Sequence, residues 1–448
     1  MSKQQSYKAH VGAVLGLGLP LVGSHLAQFA VQVLDTVMLG WYDVQALAAV
    51  VLAGGMFFLF FIFGSGFGWA VMPIVASAAQ NGDDATVRRA TRMALWLSML
   101  FALAALPVML LGESILVALG QTPAIAALAG DYLRIAAFGL FPALGVMVLK
   151  SYLAALERTQ IVLWATVAAA VLNGFLNYIL IFGAFGAPEL GITGAALASF
   201  VVQMLNFVVL VVYAARVEPQ HALMQRIWRL DGEAFRRVFV LGWPIGVTSL
   251  AEVGLFNAAA ILVGWIGTVE LAAHGIGLQI SGAAFLMHVG LSNVATIRAG
   301  QAVGRNDTDG LRRGAIAVSG VSIAVVLMAI AAFLTIPDVL IGLFLDPGDP
   351  AREAVIAVGV GLLAVAALFQ LADAGQVIAL GLLRGVQDTR VPMFYAALSY
   401  WAFGMPASYL LGFPLGLGVY GVWLGLTLGL ALAWAMMGWR FWSRLGRG

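Results

Sequence analysis

Apolar positions in this chain run too long and too unbroken for a fold surrounded by water. Twelve such runs can be read, over 11–40, 46–78, 93–112, 132–155, 161–185, 191–215, 238–266, 270–303, 314–345, 355–383, 391–413 and 418–441. A helix rising about 1.5 Å per residue needs roughly 20 apolar residues to cross the hydrocarbon of a bilayer. Each run therefore predicts one transmembrane helix, and the longest must tilt, bend or continue past the hydrocarbon. The alternation of polar and apolar residues that marks an outer-membrane barrel is missing. The opening run is too long for a secretory signal and lacks a small-residue cleavage site. The fold class is all-α, a polytopic membrane protein of twelve transmembrane helices.

Composition agrees with the pattern. Of 448 residues 62% are hydrophobic and 10% charged, with a mean hydropathy of +0.99; soluble domains carry about 25% charged residues. The sparse charges are ordered. Twenty-one of the 23 lysines and arginines fall on one side of the predicted membrane, from Lys3 and Lys8, through Arg88, Arg89 and Arg92, to Arg440, Arg444 and Arg447. Only Arg134 and Arg352 fall on the other. The positive-inside rule makes the crowded side cytoplasmic, with both termini inside. No broad basic face is available for nucleic acid, and the absence of cysteine removes disulfides and thiolate chemistry.

The chain repeats itself. At an offset of 224 residues Leu17-Gly-Leu-Pro20 matches Leu241-Gly-Trp-Pro244, Gly40-Trp41 matches Gly264-Trp265, and Arg88-Arg89 matches Arg312-Arg313. Six spans per repeat, an even number, give both halves one orientation, the parallel repeat of many transporters. The expected organisation is a six-helix lobe over 1–215, a basic cytoplasmic linker over 216–237 and a second lobe over 238–448. The proline pair Pro20 and Pro244 is expected to bend both opening helices, and Gly64 and Gly68 have the small-xxx-small spacing of close helix packing.

Three acids stand inside predicted spans: Asp35 in the first, Glu252 in the seventh and Asp373 in the tenth. Each costs roughly 2.5–3.5 kcal/mol at depth if unpaired, and no lysine or arginine within a span is an obvious partner. Polar stripes accompany them at helical spacing: His25, Gln28, Gln32 and Asp35 on the first helix, Asn173 and Asn177 on the fifth, Thr248 and Ser249 beside Glu252, and Gln370, Asp373 and Gln376 on the tenth. Interhelical hydrogen bonds of about 0.6 kcal/mol explain a lone Gln or Asn stripe; buried carboxylates are costly glue, and they suit a site for H⁺, Na⁺ or a cationic solute. Asp35 aligns with Ala259 and Gln28 with Glu252, so the second repeat holds two acids and the first one. His25, His274 and His288 are further titratable groups. No phosphate-binding Gly-Lys-Ser/Thr loop, metallopeptidase spacing or Gly-x-Ser-x-Gly elbow is present, so an enzyme is not expected and an ion gradient is the expected energy source.

These residues resemble the multidrug and toxic compound extrusion (MATE) family in its NorM-type bacterial branch. The likeness spans the chain and rests on the paired repeats, Leu17-Gly-Leu-Pro20, the stretch Gln32-Val-Leu-Asp35-Thr-Val-Met-Leu-Gly40, Ala295-Thr-Ile-Arg-Ala-Gly300, and Leu383-Arg-Gly-Val-Gln-Asp-Thr389. It implies two pseudo-symmetric six-helix bundles forming a V-shaped cleft. It also implies an antiporter in the bacterial inner membrane that exports cationic amphipathic drugs against inward Na⁺ or H⁺, with no other cofactor. The three acids coincide with the branch's pattern of an Asp in span one, a Glu in span seven and an Asp in span ten, and Asn173 and Asn177 fall where relatives place polar cation-site residues. Together with the polar stripes, this gives the expected cation-coupling residues Glu252, Asp373 and Asp35, with Na⁺ expected at Glu252 and Asp373, and an expected substrate cavity of Asp35, Gln28, Gln32, Asn173, Asn177, Gln370 and Gln376. Some relatives carry an acid where this chain has Asn177, which favours the second lobe for the ion. The expected partners are drugs and membrane lipid, and the expected form is a monomer. Rival readings are a lipid or lipid-linked sugar flippase, which needs a cationic cavity, and, from other classes, a channel or an integral-membrane enzyme.

Overall fold

The computed structural model describes residues 7–446; Lys3 and Arg447 lie outside them. Among the described residues, eleven uninterrupted helices are long and apolar enough to cross a membrane: α1 (Tyr7–Tyr42), α2 (Val44–Gln80), α3 (Asp84–Leu110), α4 (Pro123–Ala155), α5 (Thr159–Phe182), α6 (Gly191–Val217), α7 (Gly232–Ile266), α8 (Thr268–Gly304), α9 (Thr308–Thr335), α10 (Arg352–Gly385) and α12 (Gly418–Leu445). The twelfth crossing, α11, is a composite of Arg390–Ala397, a π-helical stretch Leu398–Gly404, and Met405–Gly412. Pro406 lacks the N–H that would bond back to residue 402, which frees the backbone to widen there. The described residues contain no strand. The apolar run 314–345 is divided: α9 ends at Thr335, and Pro337 opens a separate short helix, Pro337–Gly342. A proline disfavours helix in the residue before it, and apolar content alone does not register that stop.

The duplication reappears in the helix ends. Asp83 caps α3 by accepting from the Thr86 amide at 2.9 Å, and Asp307, at the same offset of 224, caps α9 by accepting from the Gly310 amide at 2.7 Å. The residues just before them, Gly82 and Asn306, are both left-handed, with φ of 66° and 52°. Asparagine tolerates that conformation better than most side chains. The triplet Asn306-Asp307-Thr308, which has the Asn-x-Thr form of a glycosylation acceptor, is here a turn followed by a cap.

The compact units of the chain do not follow the linker. One unit is Gly23–Val247; the other is the segment up to Val22 together with everything from Thr248 onward. The boundaries therefore fall inside α1 and α7, just after Pro20 and Pro244, whereas the linker 216–237 belongs wholly to the first unit.

Within the unit Gly23–Val247, small residues let backbones touch. A Cβ on Gly68 would lie 3.2 Å from the Met147 backbone, and one on Gly64 would lie 2.8 Å from Leu144 and Phe101, so both glycines of the small-xxx-small pair seat α2 closely. Gly66, on another side of α2, meets α7: its Cβ would sit 2.5 Å from the Gly242 carbonyl oxygen and 2.6 Å from the Gly246 nitrogen. Phe57, Phe60 and Phe61 pack against a core built from Ala49, Ala53, Leu133, Leu140 and Leu144. In the other unit, Ser292 Oγ donates to the Val377 carbonyl at 2.8 Å and Thr296 Oγ1 to the Gly381 carbonyl at 2.9 Å, fastening α8 to α10.

The crossing of α2 and α7 generates a prediction. Gly66→Ala forces one methyl into backbone and should destabilise the purified protein by about 1–3 kcal/mol. Gly55→Ala, whose Cβ meets nothing within 4 Å, should be neutral or stabilising, because alanine is the better helix former by roughly 0.5–1 kcal/mol. Thermal melts in detergent read both; equal melting of the two variants would contradict the contact.

Candidate functional site

Each unit holds a polar cluster on otherwise apolar helices. In the unit Gly23–Val247 the cluster joins α1, α5 and α6. Asn177 Nδ2 donates to Asp35 Oδ1 and also, at 3.1 Å, to Asn173 Oδ1, while Asn173 Nδ2 reaches Ser199 Oγ at 3.4 Å. Asn173 and Asn177 are buried, as their i, i+4 spacing on one face of α5 requires, and Asp35 is half-buried. Tyr132 on α4 lies within electrostatic reach of Asp35. The Asp35 carboxylate is thus held by an amide chain rather than by a cation. Asn177 Oδ1 is buried without a donor. His25 and Gln28 are half-buried and Gln32 is exposed; the hydrogen bonds bring together Asp35, Asn173 and Asn177.

In the other unit the cluster joins α7, α10 and α11. Gln370, Asp373 and Gln376, three apart on α10, are all buried, with Asp373 1% exposed. Gln370 donates to the Ser281 carbonyl at 2.9 Å. Glu252, half-buried on α7, lies within electrostatic reach of Asp373, of Tyr400 and of Arg384. Several polar atoms here are buried with no hydrogen-bond partner, mostly oxygens: Glu252 Oε1, Asp373 Oδ1, Gln376 Oε1 and the Tyr400 hydroxyl, with the Gln376 Nε2 donor beside them. Most buried polar atoms in folded proteins are satisfied, and each exception needs a reason. Two carboxylates close enough to repel, with unsatisfied oxygens around them, form a set of acceptors matched to a cation.

Three members of these clusters escape sequence reasoning. Arg384, counted from the sequence among loop cations, belongs to the last turn of α10 and is half-buried close to Glu252. The expectation that no basic residue neighbours the membrane acids is therefore corrected. The helix simply runs further than its apolar stretch, and a guanidinium on a long stem reaches back toward the interior. Tyr400 lies in the π-helical stretch of α11; single π turns inside helices recur at functional sites. Ser199 completes the α5 amide chain from α6. A lone Ser or Tyr in an apolar run carries no periodicity signal, so only contact reveals either.

The histidines are placed as follows. His274 accepts from Trp423 Nε1 at 2.9 Å and His288 pairs with Ser322 Oγ at 3.1 Å, both buried. His25 lies within electrostatic reach of Lys150. Among the described residues, no group of three or more His, Asp or Glu side chains gathers as a metal centre.

Comparison with known proteins gives a consistent result. The MatE family model matches residues 20–179 and 244–410, one match in each repeat. A probable multidrug resistance protein NorM of Rhizobium meliloti is 45% identical over 444 residues, covering 99% of this chain and 95% of the relative. Its counterpart in Agrobacterium fabrum is 44% identical, covering 97% and 94%. Among solved structures, a MATE in complex with MaL6 aligns with a TM-score of 0.89 at 18% identity, covering 98% of this chain and 97% of that one. The eukaryotic MATE transporter AtDTX14 aligns with a TM-score of 0.85, also at 18% identity, over 98% of both chains. With twelve helical crossings arranged as two repeats, and with near full-length kinship to NorM proteins, the chain belongs to the MATE family of membrane transporters.

Proposed function

We propose that this protein is a secondary multidrug antiporter, exporting cationic amphipathic compounds in exchange for inward Na⁺ or H⁺. The observation that carries the reading is the buried acceptor cluster of Glu252, Asp373, Gln376 and Tyr400. The names of its NorM relatives, probable multidrug resistance proteins, supply the substrate class. With both acids ionised and Arg384 protonated, the cluster carries one net negative charge, which one Na⁺ or one H⁺ neutralises. That arithmetic favours a monovalent cation as the coupling ion. One arginine against two carboxylates leaves the cluster acidic, which disfavours the pyrophosphate of a lipid-linked sugar.

In this reading the ion and the drug compete for carboxylate charge. Ion binding at Glu252 and Asp373 removes the negative charge that retains a cationic drug, and the drug leaves outward. The empty cluster, charged and within the membrane, is costly to carry through a conformational change, which enforces exchange. Within its own unit Asp35, held by Asn177, serves as an anionic contact for a cationic drug, with Asn173, Gln28 and Gln32 as further polar groups of that unit. Gln370 and Gln376 frame Asp373. In this reading the basic loops are cytoplasmic, with both termini on the inner side of a bacterial inner membrane, and each positive charge of the coupling ion moving inward draws about 2.3 kcal/mol per 100 mV from the membrane potential.

Two outcomes are expected. Glu252→Gln and Asp373→Asn, each preserving shape, should lower ion-driven transport in proteoliposomes by at least about tenfold while the protein still inserts and purifies; transport at the full rate would remove the cluster from the mechanism. Wild-type proteoliposomes loaded with a fluorescent cationic drug should respond to an imposed Na⁺ gradient, an imposed pH gradient, or both. Drug movement indifferent to either gradient would exclude an antiporter.

A further inference from the structure

Outside the acidic clusters, the densest charge in the unit Gly23–Val247 lies where the linker folds over the start of α3. Arg88, Arg92, Gln225, Arg226 and Arg229 surround a hollow of about 250 Å³, with Ala222 completing its wall. Arg88 and Arg92 are four apart on α3 and thus share a face, close enough that their charges interact. Among the described residues, no carboxylate forms an ion pair with these four guanidinium groups. The acids nearby are engaged elsewhere. Arg89 holds Asp231 at 2.5 Å and Glu233 at 2.7 Å, and Arg158 holds Glu218 at 3.0 Å. Asp84 faces His221 at 3.3 Å, and Asp83 caps α3. The hydrogen bonds from Arg89 hold the Asp231 carboxyl below the ordinary carboxylate range, so that pair persists at every physiological pH.

The hollow is built rather than incidental. Arg92 donates to the Leu223 carbonyl at 2.6 Å and to the Ala222 carbonyl, and Trp96 Nε1 donates to the Ile227 carbonyl at 2.7 Å. These bonds pin the linker to α3 from both ends of the turn. Arg226 itself is left-handed, with φ of 53°, a conformation that costs of order 1–3 kcal/mol for most residues and clusters at ligand sites. Beside it Trp228 is 73% exposed and Leu230 61% exposed. Large apolar side chains presented next to arginines at the end of a transmembrane helix are the composition of a membrane interface, where aromatic belts and basic residues meet lipid headgroups.

We infer that this hollow binds the phosphate headgroup of an anionic phospholipid, with Arg88, Arg226 and Arg229 engaging the phosphate and Trp228 and Leu230 resting on the glycerol and upper acyl chains. Arginine suits the task because its planar fork matches phosphate oxygens two at a time. Binding would fasten the connection between the two repeats to the bilayer surface as well as to α3. The inference is independent of which compounds are transported and of which ion drives them.

The test uses the full chain in detergent. Phosphatidylglycerol and phosphatidylcholine are titrated in turn, and bound lipid is counted by native mass spectrometry. The wild type should retain phosphatidylglycerol about tenfold or more over phosphatidylcholine, and retention should weaken as salt is raised. The double variant R226Q/R229Q should bind phosphatidylglycerol roughly thirtyfold more weakly. Arg236→Gln, exposed and outside the hollow, should match the wild type. R226K/R229K, which keeps charge and loses the fork, should fall between. Equal retention of the two lipids by the wild type, no salt dependence, or wild-type binding by R226Q/R229Q would overturn the site. Inorganic phosphate or glycerol 3-phosphate binding as tightly as phosphatidylglycerol would overturn the lipid assignment in favour of a free phosphate. Should the double variant fail to fold, the wild-type preference and its salt dependence decide the question alone.

Discussion

Inside a bilayer there is no water to complete a hydrogen bond, so every polar atom in the crossing must be answered by the chain itself or by something the chain carries. Most of this molecule answers locally. Ser65 donates to the Phe61 carbonyl at 2.7 Å, Thr91 to Val87 at 2.8 Å, Thr166 to Val162 at 2.7 Å and Thr427 to Trp423 at 2.8 Å, each hydroxyl bonding back one turn within its own helix. Others answer across helices, as Gln370 does at the Ser281 carbonyl and Ser408 at the Val422 carbonyl. Against that background the unanswered oxygens of Glu252, Asp373, Gln376 and Tyr400 stand out. They gather in one cluster, whereas Asn177 Oδ1, also without a donor, lies in the other unit.

The two units solve the problem of a membrane carboxylate differently. Around Asp35 the solution is amide dipoles: one side-chain nitrogen of Asn177 serves both the acid and Asn173, and Ser199 extends the chain of bonds. Around Glu252 and Asp373 the nearby group is a full charge, Arg384, together with a phenol. Amides can stabilise an anion without neutralising it; an arginine can offset one of two acids and leave the other. The divergence between repeats that began with one acid aligned to Ala259 and one to Gln28 is therefore a divergence in how charge is balanced, and it makes the units chemically unequal on a common scaffold.

Much of this was legible in the sequence. Hydropathy found every crossing because the requirement it reads, about 20 apolar residues per span, acts on each helix separately. The in-span acids and the α5 and α10 stripes were legible for the same reason, since helical spacing alone puts Asn173 with Asn177 and Asp373 with its glutamines. What escaped depended on neighbours distant in the chain or on backbone detail. The π turn of α11 follows from Pro406 and the packing around it, and its residues are as apolar as any other span. Arg384 looked like a loop cation because α10 continues past its apolar stretch. The end of α9 was overrun because Leu, Ile and Phe persist beyond Pro337. The motif Leu383-Arg-Gly-Val-Gln-Asp-Thr389 has a mechanical meaning that spacing could not supply: Asp388 binds Arg440 at 2.6 Å and Arg444 at 2.9 Å, tying α12 to the end of α10.

The compact units change what the duplication means for the gene. Since the boundaries lie within α1 and α7, the unit Gly23–Val247 includes the opening turns of the second repeat, and the other unit includes those of the first. A fragment ending at residue 231 would carry an opening segment, up to Val22, of a unit it otherwise lacks, and would be missing residues 232–247 of the unit it mostly contains. Neither repeat by itself therefore contains every residue of a compact unit. The ribosome has not supplied all of Gly23–Val247 until it has passed the linker and entered the second repeat, so the order of repeats in the gene and the extent of the units along the chain are offset.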